Sequence, residues 1–428
     1  MSFRHVDLLE VRAFGQMVGA VAPSPTIANT YVFEYASTWR DSGIDLAPLL
    51  MPTNQQSIFT FSGLSQETYK GLPPMLADSL PDKFGNSLVD AELARQQVPT
   101  NRISPLDRLA YIGTRGMGAL EFQPAVELTE MKATSLDLAD LVVAARAALN
   151  NSIEESGISG QTLSQIVQIG TSAGGARAKA VVDFHPKTKG LAISLGGHKP
   201  GYEPWILKFD GVGANAQLRS SQQDGRIEYA YSLMAKSAGI QMTPTYLLEE
   251  DGRAHFMTKR FDRSVDGHKL HMQSLCAMDA IDFKLTGTNA YEQLFNVIVQ
   301  LELGEDAMTE AWRRAVFNVY AANCDDHSKN FSFLMNATGE WSLAPAYDLT
   351  FAYDPTDYWT NKHLMSIRGE FSKISDKHLL DLAEMYGIFS AKRIMREVAE
   401  AVGDWAAFAA DAGVSTSASK QIQGYLVK

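Results

Sequence analysis

Cysteine is scarce in this chain of 428 residues: only Cys276 and Cys324 occur, far apart and outside any metal-spaced cluster. Two such thiols make no disulfide framework and no cysteine-based zinc site; buried free side chains in a reducing compartment are expected. Long apolar runs are missing as well. No stretch approaches the ~18 residues that a membrane-spanning helix needs, so no membrane association is expected. Residues 1–10 carry Arg4, Asp7 and Glu10 without an apolar segment and a small-residue cleavage site. They do not read as a secretory signal, and a cytoplasmic location follows as the expectation. Basic clusters are also lacking. With a net charge of −11 and no Lys/Arg-rich run, dominant direct binding to nucleic acid is disfavoured, because neutralising phosphates takes clustered cations. Repeats and low-complexity tracts do not occur.

What remains is an ordinary globular composition, 45% hydrophobic and 20% charged, in a chain long enough for two or three packed units. Short apolar runs bounded by Gly, Pro and Asn predict strands at residues 7–11, 31–35 and 58–61. Helices are predicted over residues 75–82, stopping at a proline, over 108–113, ending at Gly113, and over 136–149. Further strand-like runs occupy residues 178–184, 205–209 and 254–260, with a helix between at 226–239; from Tyr291 onward the pattern is mostly helical. The outline is α+β: a sheet-rich N-terminal half followed by a helical C-terminal half. Three parts are drawn at 1–155, 156–263 and 264–428.

The chemistry concentrates in Asn323-Cys324-Asp325-Asp326-His327-Ser328-Lys329-Asn330, followed by Tyr347-Asp348. Asp325 and Asn330 have the Asp-x-x-x-x-Asn spacing of a protein-kinase catalytic loop. In that reading Asp325 orients or deprotonates an acceptor hydroxyl, Asn330 offers a neutral oxygen to Mg²⁺, and Lys329 offsets charge on the transferred phosphoryl group. Residues 331–334 and 341–343 read as a hairpin that folds Asp348 back beside Asn330 as a second metal ligand. The alternative is that Asp325 and Asp326 cap a turn on a solvated loop. His327 beside them admits a metal-dependent hydrolase, but without a second histidine segment a structural, hydrogen-bonding histidine is the better reading.

A nucleotide site also needs cations and a phosphate-covering loop. Lys208 alternates out of an apolar strand, and Glu228 opens the following helix, the pairing that fixes α/β-phosphates in kinases. Gly170-Thr171-Ser172-Ala173-Gly174-Gly175-Ala176-Arg177-Ala178-Lys179 brings closely spaced glycines, a hydroxyl at Ser172 and a cation at Lys179. It is neither a Walker A sequence nor the Gly-x-Gly-x-x-Gly of eukaryotic kinases. A plain strand-joining turn is its competing reading.

From about Leu72 to Arg368 the chain resembles the HipA family of bacterial serine/threonine kinases, the toxins of HipA–HipB toxin–antitoxin pairs. The resemblance rests on Leu80-Pro81-Asp82, Ile112-Gly113 through Gly118-Ala119-Leu120, the Gly-rich loop Ser172–Lys179, Arg260-Phe261-Asp262-Arg263, and residues 325–330 with Tyr347-Asp348. It implies a two-lobed protein-kinase-like fold, ATP with Mg²⁺, and transfer of the γ-phosphate to a protein serine. It further implies that Ser172 is autophosphorylated, which ejects the loop and silences the kinase. Lys259 and Phe261 fall at the lobe-joining segment on the adenine side. The implied partners are a HipB-like helix-turn-helix antitoxin, operator DNA bound mainly through that complex with the toxin as corepressor, and a translation component such as glutamyl-tRNA synthetase as target. Two departures stand out: Arg177-Ala178 replaces a Gln-Glu pair of some relatives, and Lys259 stands where others have an acid. A catalytically silent module acting mainly in transcriptional autorepression is the competing function, although it has no physical need to keep Lys208, Asp325, Asn330 and Asp348 together.

Overall fold

The computed structural model describes residues 3–126, 138–149, 159–170, 177–193, 200–212, 223–250, 252–264 and 266–427. The chain divides into two compact units. The first comprises Met1–Gln222, Leu248–Met272 and Asn336–Gly339; the second comprises Gln223–Leu247, Gln273–Met335 and Glu340–Lys428.

In the first unit, β1 (Leu9–Ala13), β2 (Gln16–Pro23), β3 (Tyr31–Tyr35), β4 (Ile58–Phe59) and β5 (Glu121–Gln123) form one sheet in the order β4-β3-β2-β1-β5. Leu9, Val11 and Ala13 point inward while Glu10 and Arg12 are partly exposed, the period-two signature of a half-buried strand. β1 and β2 meet through a two-residue turn, Phe14-Gly15, with positive φ at both positions, the hairpin geometry that matches strand twist. The helix expected up to Gly113 spans Pro105–Ile112. It opens on a capping box between Ser104 and Asp107 and ends at Gly113 with φ +55°. The helix expected over 75–82 shrinks to Pro74–Ala77. A longer one, Lys83–Arg95, starts beyond the proline, because the Asp82 carboxylate accepts the Gly85 N–H at 2.6 Å and caps it.

A second sheet runs β7-β6-β8-β10-β9, from β6 (Lys179–Phe184), β7 (Leu191–Ile193), β8 (Glu203–Lys208), β9 (Thr245–Glu250) and β10 (Arg253–Lys259). β6 is buried along its whole length, as a central strand requires. Its register sets Lys179 opposite Lys208, which in turn stands opposite Phe256 of β10.

The second unit is helical, with Asp224–Ser237, Tyr291–Gln300, Gly304–Tyr320, Asp376–Met385 and Ala391–Gly403 among its helices. Trp312, Phe317, Phe295, Ile394, Val398 and Trp405 are buried there. The helix Asp224–Ser237 is tied into it: the Tyr231 hydroxyl donates to the Ala321 carbonyl at 2.6 Å, and the Tyr231 ring lies 5.3 Å from Trp405. Cys276 and Cys324 are both buried free thiols. Among the described residues no helix is long and apolar enough to cross a membrane. The α+β class expected from the sequence is the one observed.

Candidate active site

The loop 323–330 begins where the helix Gly304–Tyr320 ends. Ala322 adopts a positive φ of 50°, and the Asn323 amide group donates to Asn318 Oδ1 at 2.9 Å, turning the chain out of the helix. A short 3-10 turn, Ser328–Asn330, leads into the hairpin Ser332–Met335/Trp341–Leu343, which pairs antiparallel as expected. The return brings the Tyr347 hydroxyl back to donate to the Lys329 carbonyl at 2.7 Å and accept from Ser332 Oγ at 2.6 Å. Asp348 follows at φ +58°, a left-handed conformation that non-glycine residues hold only where surrounding structure enforces it.

The two adjacent acids face different environments. The Asp325 side chain is 39% exposed; its Oδ1 accepts the Trp359 indole N–H at 2.9 Å, and its carbonyl accepts the Asn330 side-chain amide at 2.7 Å. Asp326 is fully buried. It accepts the Tyr291 hydroxyl at 2.8 Å, His363 Nδ1 at 2.9 Å, the Leu364 N–H at 2.8 Å and the Met365 N–H at 3.4 Å. Burial alone would lower the His363 pKa, but the Asp326 carboxylate outweighs it and raises it to about 10, so this is an imidazolium–carboxylate pair. Asn318 completes the cluster by donating to the Tyr291 oxygen at 2.9 Å. Asp326 is therefore an anchor whose oxygens are both occupied by protein donors.

His327 differs from expectation. Its Nε2 lies 3.7 Å from Asp325 Oδ1, beyond hydrogen-bonding reach, and its buried Nδ1 has no partner among the described residues. The ring instead packs on Phe283, with centroids 5.4 Å apart, because that aromatic covers it. Lys329 places its ammonium 5.2 Å from the same Phe283 ring, a cation–π arrangement.

In the first unit, Lys179 and Lys208 are both buried and lie directly opposite on one face of the sheet. The Lys208 ammonium stands 5.7 Å from the Phe256 ring. Lys259 ion-pairs with Glu203 at 2.9 Å, and Phe261 follows, partly buried. Ser172, Gly174 and Gly175 lie outside the described residues. Glu228 is buried near the start of the helix Asp224–Ser237, in the second unit.

The segment Arg260–Arg263 also makes a buried lock. Asp262 accepts Arg260 Nε at 2.9 Å and Nη2 at 2.7 Å, Arg263 Nη1 at 2.7 Å and the Gly118 N–H at 2.7 Å, while both arginines donate to the Gly116 carbonyl. Burial would raise the Asp262 pKa, yet the two guanidinium groups bring it down to about 2. Two stretches that the sequence showed only as separate motifs are thus bonded to each other within the first unit. Sequence reasoning missed Trp359, His363 and Tyr291 altogether. Each lies more than thirty residues from its acid, in a stretch with no motif of its own.

Fold and loop together define a two-lobed α+β protein of the kinase-like class. Residues 171–406 match the family model of the HipA-like C-terminal domain, and residues 9–123 that of the HipA N-terminal domain. The chain belongs to the HipA family. It is 26% identical over 299 residues, 65% of its length, to the Sinorhizobium fredii protein named Putative kinase Y4mE, of which the match spans 64%. A solved complex of the Shewanella oneidensis toxin–antitoxin system, HipA and HipB with operator DNA, contains a chain of the same fold. The TM-score is 0.66 at 19% identity, covering 97% of this chain and 96% of that one.

Proposed function

We propose that this chain is an ATP- and Mg²⁺-dependent serine/threonine protein kinase that arrests growth as the toxin of a toxin–antitoxin pair. The observation that carries the reading is the division of labour in the loop. Asp326 is buried and occupied, which holds Asp325 partly exposed on the neighbouring position with Asn330 fixed to its backbone.

The residues fit the metal that the reaction needs. The Asn330 amide nitrogen is committed to the Asp325 carbonyl, which leaves its amide oxygen as the metal-binding atom, and Asp348 is assigned as the second, carboxylate ligand. Oxygen donors of this kind suit Mg²⁺, whose charge offsets that of the phosphates. Lys179, Lys208, Glu228 and Lys329 are assigned to the nucleotide, the lysines to its phosphates. Lys259 and Phe261 are assigned to the adenine side, and Gly174 and Gly175 to the phosphates. Asp325 accepts the proton of the acceptor serine hydroxyl as its oxygen bonds to the γ-phosphorus and the bond to the leaving ADP breaks.

Ser172, in the Gly-rich loop, is the autophosphorylation site. A phosphate there adds roughly −1.5 to −2 charges, incompatible with a loop closed over ATP phosphates. The antitoxin is a HipB-like helix-turn-helix protein; operator DNA is bound mainly through it, with this chain as corepressor. The target is a translation component such as glutamyl-tRNA synthetase. Support for the partners comes from family membership and from the composition of the Shewanella complex. The parts 1–155, 156–263 and 264–428 serve as N-terminal subdomain, ATP-binding part and catalytic lobe.

Freshly purified, unphosphorylated protein incubated with labelled ATP and Mg²⁺ is expected to carry phosphate on Ser172. Asp325→Asn is expected to lose it while still binding nucleotide. Absence of any ATP-dependent phosphorylation in the wild-type protein overturns the reading.

A further inference from the structure

Between Asp348 and His363 the chain forms a compact arch. Its start is held to the catalytic loop by a parallel bridge between Asn323 and Ala352, with the Cys324 N–H on the Ala352 carbonyl at 3.3 Å. Its end is held by His363 and Leu364 on Asp326. Inside, two aspartates fold it tightly. Asp354 Oδ1 accepts the Thr356 N–H and hydroxyl at 2.9 and 2.7 Å, and Asp357 Oδ2 accepts those of Thr360 at 3.0 and 2.9 Å. These are the aspartate turns that fix a loop without a core of its own. The residue they present is Trp359, partly buried, whose indole N–H reaches Asp325 Oδ1 at 2.9 Å.

We propose that Trp359 is a positioning residue for phosphotransfer, holding the Asp325 carboxylate in one orientation toward the acceptor hydroxyl. The inference rests on the kinase reading above. Its chemical logic lies in the donor. An indole N–H donates and cannot accept, and it neither titrates nor carries charge near neutral pH. It therefore fixes a carboxylate without competing for the proton that Asp325 must take up. A lysine or arginine in its place would form an ion pair and weaken Asp325 as a base; a histidine would exchange protons with it. The arch supplies the rigidity: with both ends tied to the same loop that carries Asp325, the indole and the carboxylate move as one body.

The test compares wild type with Trp359→Phe and with a form carrying benzothienylalanine at 359, an isostere that keeps the bicyclic ring and lacks the N–H. Initial rates are measured with MgATP, scoring both autophosphorylation and transfer to a generic acceptor protein. Nucleotide affinity and thermal midpoint are followed in parallel. Loss of one hydrogen bond to a charged group is expected to lower kcat about 10- to 100-fold in both altered forms. The KM for ATP, the affinity for nucleotide and the midpoint are expected to stay near wild type. An isostere form with kcat within twofold of wild type overturns the proposal. So does a fall in kcat that comes with equal loss of nucleotide affinity and midpoint, since that marks a structural role alone. A wild-type protein that transfers no phosphate to any acceptor overturns the kinase reading itself, and this inference with it; active wild type beside an active isostere overturns only the inference.

Discussion

Replacing Asp262 by asparagine removes one negative charge from a fully buried site. The carboxylate is buried and receives two bonds from Arg260, one from Arg263 and one from the Gly118 N–H, all at 2.7–2.9 Å. Asparagine keeps the shape, but it leaves two guanidinium groups without their counter-charge and turns an NH₂ toward donors. Breaking one partner out of a buried ion pair costs about 3–5 kcal/mol. Proton linkage accounts for only part of that. Lowering the pKa from 3.8 to about 2 corresponds to about 2 kcal/mol, present above pH 3.8 and lost as pH falls through 2. The larger figure governs at neutral pH, where the charge is removed rather than protonated. At about 2–4 °C per kcal/mol for a unit of this size, the thermal midpoint is expected to fall by about 6–20 °C. Differential scanning calorimetry measures the shift. Hydrogen exchange locates it, with faster exchange expected at residues 114–118 and 260–263. A midpoint within about 2 °C of wild type, or lost protection confined to other segments, refutes the reasoning.

Gly118→Ala acts on the same junction from the other side. Its φ is +76° and an added Cβ would lie 2.9 Å from the Met272 backbone nitrogen, so a loss of about 1–3 kcal/mol is expected from urea denaturation, and an unchanged midpoint contradicts it. The His363–Asp326 pair sets a pH dependence of the opposite sign to that of Asp262. With the folded pKa raised from 6.5 to about 10, its contribution is complete below pH 6.5 and is lost as pH rises through 10. The stability gap between wild type and His363→Gln, followed by chemical denaturation from pH 7 to 10, is expected to narrow steadily; a constant gap counts against the ion pair.

Local signals in the sequence were sufficient where local physics decides. The strand Tyr31–Tyr35, the helix ending at Gly113 and the hairpin after Asn330 all depend on side-chain periodicity or on turn residues within a few positions. The candidate site was legible to the same extent. The spacing of Asp325, Asn330 and Asp348 is a sequence fact, and so is the presence of two lysines upstream. Their opposition across β6 and β8 is not, because register depends on pairing between distant strands. The same limit hid Trp359 and His363. Neither belongs to a pattern, and each meets its acid only through contacts between segments more than thirty residues apart. The 75–82 segment differs for a more local reason: its proline does not merely end one helix, since Asp82 beside it caps the next.

Asp325 and Asp326 are chain neighbours with opposite dependencies. One is held by an indole and an amide and is reachable from solvent; the other is enclosed by four donors. The fold needs only the second. Drift can therefore change position 325 at small cost to the fold, whereas the same change one residue later strands four buried donors, one of them an imidazolium.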